Sequence, residues 1–191
     1  MCSSDLEPPL FFNLILATLI SHVGIVGGIL EEDEVKPNQP AEKYYTGKGE
    51  YKSFVGPSSN SVLWPHYIER SLLFVDRNFR SLKNLNIEDV KSAIKFSDIS
   101  AKSTAKEQTN FCHYVRSAHI LAYMTQSQYN QWLVRLYRSL EEANLLDHLG
   151  FDHIGEFREN YSQHFWETFY SDLTHLDRKS TRLNSSHSEI S

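Results

Sequence analysis

From residue 61 onward, apolar side chains recur at the spacing of an α-helix, and this pattern constrains the fold more than any other feature of the chain. The first stripe steps by three or four residues through Trp64, Ile68, Leu72, Val75, Phe79 and Leu82. Such spacing places apolar side chains along one side of a helix. Because Pro65 is tolerated only in a first turn, the pattern predicts a helix that begins near 61–64.

Further helical segments follow this first one. Residues 87–96 form a shorter predicted helix with Asn86 as its N-cap. A third is predicted over 111–122, and the pattern Thr125-x-x-Gln128 predicts a capping box for a fourth, which ends near Gly150 as its C-cap. The fifth carries Phe157, Tyr161, Phe165, Phe169, Leu173 and Leu176. The fold class is therefore predicted to be all-α, a bundle of four to five amphipathic helices over 61–176.

The segment before the bundle is apolar. Residues 8–30 contain no Lys, Arg, Asp or Glu. About twenty apolar residues suffice to cross a bilayer, so 7–30 is predicted to be a transmembrane anchor, with Gly24 and Gly28 as a possible helix-packing face. Two alternatives stay open, a secretory signal peptide and a buried segment of the domain. We therefore expect a membrane-anchored or exported protein, with a soluble cytoplasmic chain as the minority interpretation.

Residues 31–60 have the composition of a linker. Four consecutive acidic residues, 31–34, lead into a stretch with two prolines, which disfavours both helix and strand. Tyrosines then flank Gly47-Lys48-Gly49, an arrangement that allows a short hairpin. This glycine pair is not a phosphate-binding loop, because the remainder of that motif is absent.

Both ends of the chain match translated sequencing adapter. Residues 177–187, DRKSTRLNSSH, are the in-frame translation of a widely used short-read adapter, and residues 1–6, MCSSDL, fit its reverse complement. Sequences of this kind are set aside before the fold is considered. We therefore expect 1–6 and 177–191 to be adapter-derived, and the native chain to be truncated.

Composition and motifs exclude several functional classes. The net charge of −5 is not that of a nucleic-acid-binding protein, which would carry a basic face. Cys112 is the single cysteine outside the predicted adapter, so that part of the chain has no internal disulfide framework. No sequence motif of serine hydrolases, zinc proteases or phosphate-binding loops is present. These observations indicate no catalysis in this fragment and predict no cofactor. A hydrolase or transferase whose motifs lie outside the fragment stays open as a third hypothesis.

Histidines are concentrated towards the C-terminal end. His153, His164 and His175 are spaced by eleven residues, which places them within about 40° of one another on a helix. Together with nearby carboxylates, such a ladder is able to hold a transition metal or haem. The alternative is a solvated flank, because these positions lie about 80–110° from the centre of the apolar stripe.

The last predicted helix is more aromatic than one packing seam requires. Phe165, Trp166, Phe169 and Tyr170 are predicted to form an interface with a partner or with a second copy, because aromatic side chains dominate such contacts. The alternative is that a further helix covers them. The leading hypothesis is a membrane-anchored or exported helical domain that acts by protein association, as an assembly factor, scaffold or sensor. The alternative is a histidine-rich bundle that binds a transition metal or haem.

Overall fold

The structure, a computed structural model, describes residues 8–34, 43–53, 60–98 and 110–185. The chain is mostly helical, as predicted, and has one small sheet. The α-helices are α1 (Pro8–Ile20), α2 (Tyr67–Asn78), α3 (Ile87–Phe96), α4 (Asn110–Met124), α5 (Tyr129–Glu142), α6 (Leu146–Leu149) and α7 (Ile154–Ser185). Two 3-10 helices, Val23–Ile25 and Asn60–His66, and two strands, β1 (Lys43–Tyr45) and β2 (Tyr51–Ser53), lie between α1 and α2.

Two apolar clusters form the larger part of the core. The first joins α1, α2, α3 and α4, and its fully buried members are Ala17, Val75, Val90, Ala93, Ile94 and Val115. The second lies between α5 and α7 and includes Leu133, Leu136, Phe157 and Tyr161. Contacts between α4 and α7 connect the two halves. Each fully buried large side chain contributes roughly 1.5–3 kcal/mol to folding.

The apolar segment 8–30 is not one continuous helix. α1 ends at Ile20, the 3-10 helix Val23–Ile25 follows, and Gly28 takes a positive φ of 80°. One side of α1 packs on α3 and α4, where Ala17 is fully buried. Within the described ranges, no helix is both long and apolar enough to cross a membrane. The predicted membrane span is therefore not confirmed, and Gly24 and Gly28 do not share a helix.

The start of the first predicted helix needs correction. Residues 60–66 form a 3-10 helix that contains Pro65, and α2 begins only at Tyr67. Proline lacks the backbone N–H that an α-helix interior requires, so the α-helical part of the stripe begins after it. The predicted start at 61–64 lies within the 3-10 helix, so the prediction that an α-helix begins there is wrong.

Of the two predicted N-terminal caps, the one at Asn86 is confirmed and the one at Thr125 is not. α3 has the predicted bounds, and Asn86 Oδ1 accepts a hydrogen bond from the Asp89 backbone N–H at 3.4 Å. The capping box at Thr125 is wrong, because the Thr125 hydroxyl donates to the Leu121 carbonyl at 3.1 Å and so belongs to the end of α4. α5 begins at Tyr129 without a side-chain cap.

The predicted fourth helix is two helices. α5 ends at Glu142, Asn144 takes a positive φ of 55°, and α6 follows. Gly150, with φ 71°, is the C-cap of α6 rather than of the whole stretch. α7 runs to Ser185, nine residues beyond the predicted end at Leu176. The adapter origin of 177–191 stays a prediction.

The hairpin suggested by the glycine pair is present. β1 and β2 pair antiparallel, with Tyr45 opposite Tyr51, and both Gly47 and Gly49 take the positive φ that this turn requires. Tyr44 packs with Leu63, so this part of the predicted linker belongs to the folded domain. Linker residues 35–42 and 54–59 lie outside the described ranges.

Candidate functional site

Arg70 of α2 is a fully buried arginine that donates five hydrogen bonds. Its guanidinium donates to both carboxylate oxygens of Asp33, at 2.9 and 2.8 Å, and both side chains are fully buried. It also donates to the carbonyls of Gly24 at 2.6 Å, Val26 at 3.0 Å, and Tyr45. Burial acts to raise the pKa of Asp33, but hydrogen bonds from Arg70 and from the Tyr45 backbone outweigh it and lower the pKa. This cluster fixes the segment after α1, the hairpin and α2 to one another.

A second buried cluster connects the end of α1 to α4. Ser21 Oγ lies 2.5 Å from His119 Nε2 and 3.3 Å from His22 Nδ1. The His22 ring stacks on Tyr67 at 4.9 Å and meets the His119 ring edge-on at 4.3 Å. A serine–imidazole contact is the arrangement that activates a nucleophile in hydrolases. Ser21 is fully buried, however, so its hydroxyl is not exposed to solvent, and the cluster packs the end of α1 against α4.

Both imidazoles of this cluster are held neutral. Burial lowers the pKa of His22 from 6.5 to about 4; the neighbouring His119 acts in the same direction, and Asp98 opposes it. Burial also lowers the pKa of His119. The charged form of each imidazole is therefore less favourable in the folded chain than in the unfolded chain.

We expect the free energy of unfolding to fall as the pH is lowered from 6.5 to about 4. In this window His22 is protonated in the unfolded chain but not in the folded one, so protons favour unfolding. The stability is intact above pH 6.5, and the loss levels off below about pH 4. At about 1.4 kcal/mol per pKa unit, the protonation of His22 lowers the free energy of unfolding by up to roughly 3 kcal/mol.

Urea unfolding at a series of pH values measures this dependence. Carboxylates also titrate in acid, so the test is the difference between the parent chain and the variant His22→Gln. Between pH 6.5 and 4, the free energy of unfolding of this variant should depend less steeply on pH than that of the parent chain. His153→Gln, at an exposed histidine, should show the same pH dependence as the parent chain. Equal slopes in all three proteins would contradict the assignment to His22.

A cavity of about 230 Å³ lies where α4, α5 and α7 meet. Its lining consists of five aromatic side chains and one serine, namely Tyr123, Tyr129, Tyr161, Ser162, Phe165 and Trp166. We call this the aromatic cavity. The ring of Trp132 lies behind it, with its centroid 5.7 Å from that of Tyr123, 5.8 Å from Tyr129 and 6.1 Å from Tyr161. Burial raises the pKa of all three tyrosines, so their hydroxyls stay protonated at neutral pH.

The four predicted interface residues divide between core and surface. Phe165 is buried and packs with Ile120 of α4. Trp166 and Tyr170 are each 49% exposed, and their ring centroids are 5.1 Å apart. The side chain of Phe169 lies outside the described part of the structure. Of the three predicted interface side chains that the structure describes, Trp166 and Tyr170 are therefore exposed, and Trp166 also lines the aromatic cavity. Their role as an interface stays a prediction.

The predicted histidine ladder is not assembled by the described residues. His153 is exposed, and its Nδ1 accepts a hydrogen bond from the Glu156 backbone at 3.2 Å, which caps the start of α7. His164 is half-buried against the rings of Phe151 and Tyr161, at 5.8 and 6.2 Å. The side chain of His175 lies outside the described residues. Within the described part of the chain, no three His, Cys, Asp or Glu side chains could hold a metal ion, and the metal or haem alternative stays a prediction.

The outer side of α1 is an apolar surface. Phe11, Phe12, Ile15 and Leu19 are 53%, 49%, 45% and 74% exposed. We call these four residues the α1 outer face; at 100° per residue they fall within about 100° of one another. Phe12 also lines an apolar cavity of about 430 Å³, together with Pro9, Leu82, Lys83, Asn84 and Leu85.

The two buried polar clusters could not be predicted from local sequence patterns. Arg70 bonds to Asp33 across 37 residues, and Ser21 meets His119 across 98 residues. Neither spacing matches a local motif. The aromatic richness of α7 did indicate Phe165 and Trp166, but not Tyr123 and Tyr129, which other helices contribute.

Comparison with known proteins yields one relationship. The family model described as Npun_R2479-like matches residues 4–179, which is most of the chain. The chain therefore belongs to the Npun_R2479-like family. No curated protein and no solved structure matches it.

Proposed function

We propose that this domain acts by association at a membrane surface, with the α1 outer face on the lipid and the exposed aromatics of α7 directed to a protein partner. The exposure of four large apolar side chains on α1 carries this proposal. It retains the membrane as the place of action, but the contact is peripheral rather than a single-pass anchor. No catalytic step is part of the proposal.

The α1 outer face has the properties of a lipid-binding surface. Soluble monomers rarely expose contiguous apolar patches of large size, and such patches mark protein or membrane contacts. A helix that lies in the membrane interface buries one apolar side to a depth of about 5–10 Å, and Phe and Leu are typical of that side. Leu19, at 74% exposure, and Phe12 project in this way while Ala17 packs inward.

Lys83, which lies next to this face, favours an anionic surface over a neutral one. α1 itself carries no charged side chain, whereas the connection between α2 and α3 carries Arg80 and Lys83. Lys83 lines the same cavity as Phe12, and the Arg80 side chain is 74% exposed with an ion-pair contact of 3.4 Å to Asp76. Basic residues near an anionic membrane contribute about 1 kcal/mol each.

Vesicle flotation of the full chain tests the lipid contact. We expect binding to vesicles of phosphatidylcholine and phosphatidylglycerol, and weaker binding to phosphatidylcholine alone. The double variant Phe12→Glu, Leu19→Glu should reduce binding at least about tenfold, because it places two charges in the buried side of the contact. Leu121→Glu, at a leucine of α4 that is about as exposed as Phe12, should bind like the parent chain.

Two results would overturn the proposal. One is absence of flotation of the parent chain on anionic vesicles. The other is unchanged flotation of the Phe12→Glu, Leu19→Glu variant. Carbonate washing separates the two modes of membrane contact, because a peripheral protein is released and a spanning one is retained.

The exposed aromatics of α7 support the second part of the proposal. Trp166 and Tyr170 are half-exposed next to a cavity, and interface anchors are typically tryptophan and tyrosine side chains that cluster at pockets. Their position on α7 is separate from the α1 outer face, so a partner and a lipid surface contact different residues.

A further inference from the structure

We propose that the aromatic cavity binds a small organic cation, a quaternary ammonium group. This inference rests on the proposed function only in treating the α7 surface as a binding surface, to which it adds a small-molecule ligand. It does not depend on the α1 outer face. It follows from the cavity's lining, its rigidity, its charge and its size.

The lining is suited to a cation. Five of the six lining side chains are aromatic, and the face of an aromatic ring carries a negative partial charge. A cation within about 6 Å of a Trp or Tyr ring centroid is attracted by that face, and quaternary ammonium ligands are typically bound by several such rings at once. Tyr129, Tyr161 and Trp166 come from two helices, α5 and α7, and so approach a shared ligand from different sides.

The cavity is held in place by packing. Trp132 contacts three of the lining tyrosines, as described above, and Tyr161 also packs on the ring of Phe157 at 4.8 Å. Phe165 is fixed by the core contact with Ile120. A site whose rings are already positioned loses little conformational entropy when a ligand binds.

The charge around the cavity also favours a cation. No Lys or Arg is among the lining residues, and the tyrosine hydroxyls, which stay protonated, offer neutral oxygen acceptors. Glu167 is next to Trp166 on α7, and the whole chain has a net charge of −5. Among the lining residues that the structure describes, no cation competes with the ligand for the ring faces.

The size of the cavity limits the ligand. At about 230 Å³, it lies below the range of roughly 300–1,000 Å³ that is usual for drug-sized ligands. A quaternary ammonium with one short substituent is compatible with this volume. A neutral apolar group of the same shape would fit equally well, so the experiment must separate charge from shape.

Calorimetric titration of the full chain with choline and with 3,3-dimethylbutan-1-ol makes this separation. The alcohol replaces the charged trimethylammonium group with a neutral tert-butyl group of the same shape. We expect saturable binding of choline and at least about tenfold weaker binding of the alcohol, in line with the strength of cation–aromatic contacts. Equal affinities, or no saturable choline binding at millimolar concentrations, would overturn the proposal.

Two variants test whether choline binds in the aromatic cavity. Trp166→Leu removes one lining ring at a half-exposed position and should weaken choline binding at least about tenfold. Tyr114→Leu, at an exposed aromatic of α4 outside the lining, should bind choline like the parent chain. Choline affinity that is the same in the Trp166→Leu variant would show that the cavity is not the site.

Flotation identifies the source of the quaternary ammonium. If flotation of Trp166→Leu on phosphatidylcholine vesicles equals that of the parent chain, the choline-binding site takes a free cation; if flotation is lost, it takes a lipid headgroup. Flotation on vesicles of phosphatidylethanolamine and phosphatidylglycerol, which carry no choline headgroup, reports separately on the contact made by Phe12 and Leu19, so each proposal can fail without the other.

Discussion

The variant Arg70→Met is expected to unfold with a free energy about 3–5 kcal/mol lower than that of the parent chain. The substitution leaves the fully buried Asp33 carboxylate without its counter-charge, and an unpaired buried charge is among the most costly defects in a folded protein. It also removes the donor that satisfies the carbonyls of Gly24 and Val26. Urea unfolding at pH 7, followed by circular dichroism, measures the loss.

A neighbouring ion pair provides the matched control. Arg77 lies on the same helix and is bonded to Glu32, but both side chains are partly exposed. Exposed pairs contribute about 0–1 kcal/mol, so Arg77→Met should cost far less than Arg70→Met. Equal losses in the two variants would contradict the burial of the Arg70–Asp33 pair. In the double variant Arg70→Met, Asp33→Leu, part of the stability should return, because no charge is left unpaired.

The position of Arg70 explains why the sequence did not reveal this pair. The apolar residues Ile68 and Leu72 of α2 and its C-cap Phe79 fall within about 40° of one another, while Arg70 lies about 200° from Ile68. By periodicity, Arg70 therefore belongs to the polar side of an amphipathic helix. It is buried because the segment after α1 and the hairpin cover that side. A covering element distant in sequence leaves no trace in the local pattern.

The helical elements themselves were predictable because their determinants are local. The bounds of α3 follow from a capping asparagine and a short stripe, both contained in 86–96. The error at α5 has the same origin, since Thr125 is equally able to bond forward to a new helix or back to the end of α4. The structure has the second of these bonds.

The apolar composition of residues 8–30 is not sufficient to predict one continuous helix. A run without charges satisfies the length of a membrane span, but composition does not report whether the helix continues. Here the helix stops at Ile20 because Ser21 and the residues after it are engaged by other elements: the Ser71 hydroxyl donates to the Ser21 carbonyl at 3.0 Å and accepts from Gly24 N–H at 2.9 Å. These tertiary contacts replace the helical continuation.

The aromatic cavity was predictable in part. The period of α7 placed Tyr161 and Phe165 on the packing side of the helix, and both are buried there. Trp166 follows Phe165 by about 100° and so comes to the edge of that side. Tyr123 and Tyr129 stand on either side of the turn between α4 and α5, and their approach to α7 depends on how that turn folds. The misassigned capping box at Thr125 lies in this same turn.

Gly24→Ala is expected to lower the free energy of unfolding by about 3 kcal/mol. A Cβ at this position would lie 2.2 Å from the Tyr67 carbonyl oxygen and 2.8 Å from the Ser71 backbone nitrogen. Both atoms belong to the backbone of α2, so a rotamer change cannot relieve the overlap. The segment after α1 must move away from α2, which combines overpacking strain with weakening of the bonds from Gly24 to Ser71 and Arg70.

The same substitution at Gly155 is the control for Gly24→Ala. A Cβ there meets the side chain of His153, at 3.2 Å, and α7 gains a better helix former. Its free energy of unfolding should stay within about 1 kcal/mol of the parent value. A similarly small change in Gly24→Ala would contradict the close approach to α2. Gly24 and Arg70 act at one junction. The double variant Gly24→Ala, Arg70→Met should therefore lose less free energy of unfolding than the sum of the two single-variant losses.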